Sequence, residues 1–190
     1  MPDTPADMME RFASATLQAT FPTREILVRL KEDPGGSTAK RTAEFALARW
    51  PHREATWSSV QLLLGTILED TDREKAHELY NAVLKSGFLK EAAATNLGRL
   101  ALSENKLEVA IDLHRQAVRI APWSATSHFE LAVAFRISGL AEQDVTAALQ
   151  LHQQACRELR LAVKLGFNFS KSHFGPEREQ NDPVLSCKAQ

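Results

Sequence analysis

The chain has 190 residues, of which 44% are hydrophobic and 25% are charged, a composition typical of folded globular proteins that argues against extended disorder. Its 23 basic and 24 acidic residues leave a net charge of -1, so no overall field attracts nucleic acid or an anionic membrane. The N-terminal sequence lacks the pattern of a secretory signal and no apolar run is long enough to span a membrane, so we expect a soluble cytoplasmic protein.

Helix-start and helix-end signals divide the first part of the chain. Thr4-Pro5-Ala6-Asp7 combines an N-cap, an early proline and an acidic residue, and it predicts a first helix. A short second helix is expected from Thr23 to Glu32, where the sequence EDPGGST interrupts the pattern. Ser37 is then expected to cap a third helix that ends before Pro51.

After Pro51 the helices are predicted to come in pairs. Thr71 with Glu74 has the spacing of a capping box, and Gly139 and Gly166 bound the second helix of the last pair. The expected helices cover residues 53–69, 71–87, 89–103, 106–120, 125–138 and 141–165. No convincing strand pattern occurs, so the predicted fold class is all-α.

The pairs recur with a measurable period. Ala76 and Ala110, each in the second helix of a pair, are thirty-four residues apart, and Ala155 follows after forty-five more. The second interval exceeds the first by eleven residues, which is close to three helical turns, so the apolar face keeps its phase across the insertion. A helix–turn–helix period of thirty-four residues is typical of a helical solenoid.

One unit, beginning at Glu91, carries the pattern most clearly, with a Leu-Gly pair, two alanines and a closing proline. These residues are Leu97 with Gly98, Ala110, Ala117 and Pro122. On these residues the chain resembles the tetratricopeptide repeat family. The resemblance implies a right-handed α-α superhelix, a solenoid of about three helix pairs. Gly98 and Ala110 would lie where two helices cross, because a larger side chain there would separate the backbones.

The resemblance also divides the chain into regions. We expect an N-terminal helical extension over residues 1–36, tetratricopeptide-like repeats over residues 37–167, and a C-terminal tail or cap over residues 168–190. The stretches KLGF and NDPVL near the end are similar to the ends of many bacterial members of the family. Ala94 replaces the large aromatic residue of the family, and an irregular helical bundle remains the alternative.

Three tryptophans stand near predicted helix ends. Trp50, Trp57 and Trp123 each bring a large apolar area, so we expect them to pack in the core at the joints between repeats. An exposed Trp123 would instead indicate an interface.

No catalytic or metal-binding motif stands out. The six histidines include no HExxH and no zinc-finger spacing, and no GxSxG, P-loop or GxGxxG occurs. His152 and Cys156 share one helix face but supply two metal ligands, whereas a closed site needs about four. Cys156 and Cys187 are expected to be reduced thiols. We therefore predict a protein that is not an enzyme and that has no cofactor or metal.

The resemblance implies that the first helices of successive pairs line a concave groove that binds a peptide. The predicted groove positions are Leu62, Thr66, Thr95, Arg99, Phe129, Val133 and Arg136. They combine an apolar surface with a basic edge, which suits an extended or helical peptide. The expected function is a non-catalytic scaffold or adaptor that binds a peptide or helix of a protein partner, without nucleic acid or a membrane.

Three alternatives stay open. In the first, the groove residues pack against the chain's own N-terminal helix or tail, since terminal repeats need covering. In the second, the protein is a chaperone of the type III secretion class, whose members have a similar length and an N-terminal helical extension. In the third, it is a regulatory subunit of an enzyme.

Overall fold

The computed structural model describes residues 36–49, 54–86 and 88–167, together with residues 26, 28, 29, 32, 33 and 187. Seven helices lie within residues 36–167, and no strand occurs among the described residues, which confirms the predicted all-α class. The helices are α1 (Ser37–Arg49), α2 (Glu54–Leu68), α3 (Arg73–Lys85), α4 (Lys90–Ser103), α5 (Leu107–Ile120), α6 (Ala125–Ala141) and α7 (Val145–Lys164). Residues 26, 28, 29 and 32 are helical too, and the first predicted helix lies outside the described residues.

The chain divides into two compact units, Met1–Asn96 and Leu97–Gln190. In the first unit α1 packs on α2 and α2 packs on α3. In the second unit α5 packs on α6 and α6 packs on α7. In each of these four pairs, helices that follow one another in sequence are neighbours in space, as short connections favour. Within the described ranges, no helix combines the length and the apolar character needed to cross a bilayer.

Aspartate side chains cap the starts of three helices, and at two of them the sequence predicts a hydroxyl cap instead. Asp33 Oδ2 accepts hydrogen bonds from the Ser37 hydroxyl at 2.7 Å and from the Thr38 backbone N–H at 3.0 Å, so Asp33 caps α1. Asp72 Oδ1 accepts a backbone N–H of the first turn of α3 at 3.0 Å. The predictions that Ser37 and Thr71 cap these helices are wrong. A carboxylate is favoured at both places because it also interacts with the positive end of the helix dipole.

The two helices of the last pair differ from their predicted bounds. The first helix, α6, is longer than predicted, and the second, α7, begins later than predicted. α6 continues through Gly139 to Ala141, and α7 starts at Val145, where Asp144 accepts a backbone N–H of the first turn at 2.7 Å. A Cβ added to Gly139 would lie 3.3 Å from the Cβ of Leu151, so the glycine permits a close approach of α6 to α7. The predicted boundaries at residues 138 and 141 are therefore wrong by a few residues.

In two helix pairs, a buried ring fills the space beside a glycine. In α2 and α3, a Cβ added to Gly65 would lie 2.5 Å from Cε1 of Tyr80, which is fully buried. In α4 and α5, a Cβ added to Gly98 would lie 2.6 Å from Cε1 of His114, which is also fully buried. Because each ring occupies the space of the missing side chain, neither glycine can become alanine unless the ring moves.

The second unit contains two apolar clusters between its helices. The first consists of Ile111, Leu131, Ala134, Phe135 and Ala155. The second, called the Phe129 cluster below, consists of Phe129, Ala132, Leu159 and Ala162, with Val133, Phe167 and Cys187 packed against it. Both clusters join α6 to α7, and the first also joins them to α5.

The two cysteines are bonded to each other. Cys156 on α7 and Cys187 form a disulfide, with their Cα atoms 5.4 Å apart, and no free cysteine remains. The expectation of two reduced thiols is therefore wrong. The sequence held no sign of this pairing, because the two residues are 31 positions apart and only the tertiary structure brings Cys187 to α7.

Candidate binding site: an arginine-lined pocket on α5, α6 and α7

A pocket of about 260 Å³ opens between α5, α6 and α7 in the second unit. It combines an apolar floor with a basic rim. The floor consists of Val118, Leu131 and Phe135, and the rim of Arg115, Arg119 and Arg157, with Gln154 and Glu158 beside them. We call this site the arginine pocket.

Helix periodicity brings the arginines together. Arg115 and Arg119 are four residues apart on α5, so their side chains leave the helix from one face. Arg157 comes from α7, which packs on α6. The three arginines are exposed, whereas Leu131 and Phe135 belong to the buried core. The guanidinium groups therefore lie at the mouth of the pocket, with apolar surface below them.

Two contacts hold Arg115 in place. Its guanidinium carbon lies 5.3 Å from the centroid of the Phe135 ring, which is a cation–π contact. Its Nη1 lies 3.3 Å from Asp112 Oδ1. Exposed ion pairs of this kind contribute at most about 1 kcal/mol to stability, so the main effect of Asp112 is to orient the arginine.

The remaining rim charges are not neutralised. Arg119 and Arg157 form no ion pair within the part of the chain that the structure describes. Glu158, which also lines the pocket, is engaged elsewhere, since its Oε2 lies 2.6 Å from Nδ1 of His128. The other ring nitrogen of His128 lies 3.1 Å from the Pro122 carbonyl oxygen. The pocket therefore keeps an excess of positive charge.

The arginine pocket suits an anionic group attached to an apolar one. A guanidinium donates paired hydrogen bonds to carboxylate or phosphate oxygens, and the floor can contact an aliphatic or aromatic part of the same ligand. Its volume is below the range of about 300–1,000 Å³ typical of small-molecule sites, so it fits one or two side chains. Among the described residues, no group of three or more His, Cys, Asp or Glu side chains could hold a metal ion.

The seven residues predicted to face a groove differ in how deeply they are buried. Leu62, Thr66 and Thr95 in the first unit and Phe129 in the second are buried, and Arg99, Val133 and Arg136 in the second are half-buried. The Thr66 hydroxyl lies 3.1 Å from the Leu62 carbonyl oxygen and 3.0 Å from the Tyr80 hydroxyl, so it is engaged inside its own unit. None of the seven lines the arginine pocket.

Phe129, the predicted aromatic anchor, is covered by its own chain. Its ring stacks on that of Phe167 with the centroids 4.1 Å apart, and only 8% of the residue is exposed. Val133 packs against the same cluster. Phe167 and Cys187, which cover this cluster, belong to the same chain. This agrees with the alternative in which the groove residues pack against other parts of the chain.

Two histidines have well-defined surroundings outside the pocket. His114 is fully buried, and neither ring nitrogen has a hydrogen-bond partner within the described residues. Burial lowers the pKa of His114 to about 4, and the positive charge of Arg99 contributes to the same shift. His152 Nε2 lies 3.6 Å from Cys156 Sγ, but that sulfur belongs to the disulfide and is not available as a metal-binding thiolate.

The tryptophan prediction is wrong at Trp123. That residue is 73% exposed in the turn between α5 and α6, whereas core packing was expected. Trp57 is half-buried, and Trp50 lies outside the described residues. The turn that starts at Pro122 directs Trp123 away from the helix interfaces.

Sequence reasoning missed the pocket arginines because it placed the binding surface on the first helix of each pair, whereas these arginines lie on second helices. The sequence did contain a signal of a basic surface. Arg115 and Arg119 are one helical turn apart on α5, and the apolar Val118 lies between them in sequence. What the sequence could not provide is the position of Arg157, which depends on how α7 packs in the second unit.

No family model matches the chain, and no curated protein shows significant similarity to it.

Proposed function

We propose that the protein is a non-catalytic scaffold whose tetratricopeptide-like helix pairs bind a peptide segment of a protein partner. The observation that carries the proposal is the arginine pocket, where exposed guanidinium groups stand above buried apolar side chains. The bound segment is acidic and carries an apolar side chain close to its carboxylate, because this combination complements both the rim and the floor.

The packing of the helix pairs supports the repeat part of the proposal. Gly65 and Gly98, which each make room for a ring, are thirty-three residues apart. The rings themselves, Tyr80 and His114, are thirty-four residues apart. An irregular bundle has no reason to place the same glycine–ring contact at nearly the same interval, so the spacing favours a solenoid.

The arginine pocket would act as an anchor within a larger contact. A stable protein–protein interface buries about 1,200–2,000 Å² in total, much more than one acidic side chain and its apolar neighbour can cover. Neighbouring helix surface would supply the rest of the buried area. The exposed arginines would mainly speed association and select acidic segments.

The test compares two charge-reversal variants with the wild-type protein. Arg119→Glu/Arg157→Glu reverses the rim of the pocket. Arg160→Glu/Lys164→Glu makes the same change in charge at exposed positions of α7 that do not line it. Each protein is crosslinked to its partners in the source cell, and an acidic peptide from the captured partner is then titrated against all three proteins.

We expect the control to bind the peptide as the wild-type protein does, and the pocket variant to bind at least about tenfold more weakly. Hydrogen bonds to charged groups contribute about 1.5–3 kcal/mol each, and about 1.4 kcal/mol corresponds to tenfold. Thermal melts establish that all three proteins are folded. Equal affinity of the wild-type protein and the pocket variant would place the partner elsewhere.

A further inference from the structure

Cys187, near the C-terminus, is bonded covalently to α7. Cys187 forms its disulfide with Cys156, which is buried in α7, and Cys187 itself is half-buried against the Phe129 cluster. Phe167, which follows α7, packs against the same cluster. Two residues that are distant from each other in sequence therefore cover one apolar face of α6 and α7.

The two covering residues are held in different ways. Phe167 stands three residues beyond the end of α7, and its backbone N–H donates to the Ala162 carbonyl oxygen at 2.9 Å. Cys187 is 31 positions from its bonding partner. A covalent bond can hold so remote a residue in place, and the bond can be broken by reduction.

We propose that the Cys156–Cys187 disulfide is a redox latch that holds Cys187 over the Phe129 cluster when oxidised and releases it when reduced. Release uncovers the part of the Phe129 cluster that Cys187 packs against, while Phe167 stays stacked on Phe129. The latch acts whether or not the arginine pocket binds a partner, and its test uses no partner.

The reaction is thiol–disulfide exchange with a thiol reductant. A reductant thiolate attacks Sγ of Cys187, the less buried of the two cysteines, and the S–S bond breaks so that Cys156 leaves as a thiolate. A second thiol of the reductant then attacks the mixed disulfide and releases Cys187. The reductant gives up two electrons and two protons and becomes a disulfide, and both cysteines become thiols.

His152 is a positioning residue for this exchange. Its Nε2 lies 3.6 Å from Cys156 Sγ, one helical turn away on α7, so a protonated Nε2 can donate to the departing thiolate. A better stabilised leaving thiolate departs faster.

The first experiment tests whether the disulfide exists in the full chain. The full chain is oxidised with glutathione disulfide or reduced with dithiothreitol, and free thiols are counted by alkylation under denaturing conditions and mass spectrometry. We expect no alkylation of the oxidised protein and two alkylated cysteines after reduction. Alkylation of both cysteines in the oxidised sample would overturn the proposal.

The second experiment uses amide hydrogen exchange to measure how well the Phe129 cluster is protected. Reduction should increase exchange several-fold in residues 129–133 and 159–162, and the Cys156→Ser/Cys187→Ser variant should show the same increase without reductant. Residues 111–117 of α5, outside the Phe129 cluster, serve as the internal control and should not change. Unchanged exchange at the Phe129 cluster, or a loss of helical circular dichroism on reduction, would overturn the latch and leave a purely structural disulfide.

The role of His152 has its own readout. His152→Gln should slow reduction by dithiothreitol several-fold while the two oxidised proteins keep the same melting temperature. An unchanged rate of reduction would remove His152 from the exchange step.

Discussion

A methyl group added to Gly98 would lie 2.6 Å from the imidazole of His114, closer than two such atoms can approach unless one of them moves. We expect Gly98→Ala to lower the free energy of unfolding by about 1–3 kcal/mol, because overpacking costs more than the better helix propensity of alanine returns. Gly139→Ala is the control, since its methyl group would lie 3.3 Å from Leu151 Cβ. Urea denaturation measures both.

The control should change stability much less than Gly98→Ala, because a contact of that length needs only a small adjustment of Leu151. In a His114→Ala background, where the imidazole is absent, Gly98→Ala should become neutral or stabilising. Equal losses at Gly98 and Gly139 would mean that the contact with the imidazole of His114 is not what makes a methyl group at Gly98 costly.

His114 makes stability depend on pH in a defined window. Its ordinary pKa is 6.5 and burial lowers the folded-state value to about 4. Above pH 6.5 the side chain is neutral in both states and contributes nothing. As the pH falls from 6.5 to 4, the unfolded chain binds a proton that the folded chain does not bind, so stability falls, by about 3 kcal/mol in total.

The His114→Phe variant keeps a planar ring and cannot bind a proton. Urea denaturation between pH 7 and pH 4 should therefore show a steeper loss of stability for the wild-type protein than for the variant. The difference between the two curves isolates His114 from the other histidines. Parallel curves would show that His114 is protonated equally in both states.

At the scale of helices, sequence periodicity predicted the elements better than their ends. The order and approximate extent of α2 to α7 follow from apolar spacing, which many residues determine together. The start of a helix depends on one or two side chains, and at α3 the carboxylate of Asp72 takes the place predicted for the hydroxyl of Thr71. Neighbouring residues that can both cap a helix are not distinguished by pattern alone.

Phe129 on α6 tests whether a predicted groove position belongs to the core. Because its ring stacks on Phe167 and is almost fully buried, we expect Phe129→Ala to lower the free energy of unfolding by about 3 kcal/mol or more. Ile137→Ala on the same helix is the control, since Ile137 is 38% exposed and its change should stay within about 0.5 kcal/mol. A variant with an unchanged melting temperature and weakened peptide binding would instead identify Phe129 as an accessible anchor.

For the whole molecule, the sequence predicted the all-α class and singled out Gly98 as a position without room for a side chain, but it did not predict the arginine pocket or the disulfide. Gly98 could be identified from the sequence because small residues recur at positions where helices are expected to cross. The pocket needs Arg115 and Arg157 from two helices, and the disulfide needs Cys187 beside α7. Both depend on tertiary positions that no short-range pattern encodes.

The disulfide also bears on the stability of the entire chain. It joins residues 31 positions apart, and closing a loop of that length restricts the unfolded chain enough to stabilise the native state by about 2–4 kcal/mol. We expect the Cys156→Ser/Cys187→Ser variant to lose that amount in urea denaturation relative to the oxidised wild-type protein. In dithiothreitol the two proteins should have the same stability, because neither then contains the bond, and this comparison controls for the serines themselves.

A domain typically has about 5–15 kcal/mol of stability, so the reduced chain should stay folded, as a latch requires. Equal stability of the variant and the wild-type protein without reductant would show that the bond does not constrain the unfolded chain, whereas unfolding on reduction would make the bond a requirement of the fold.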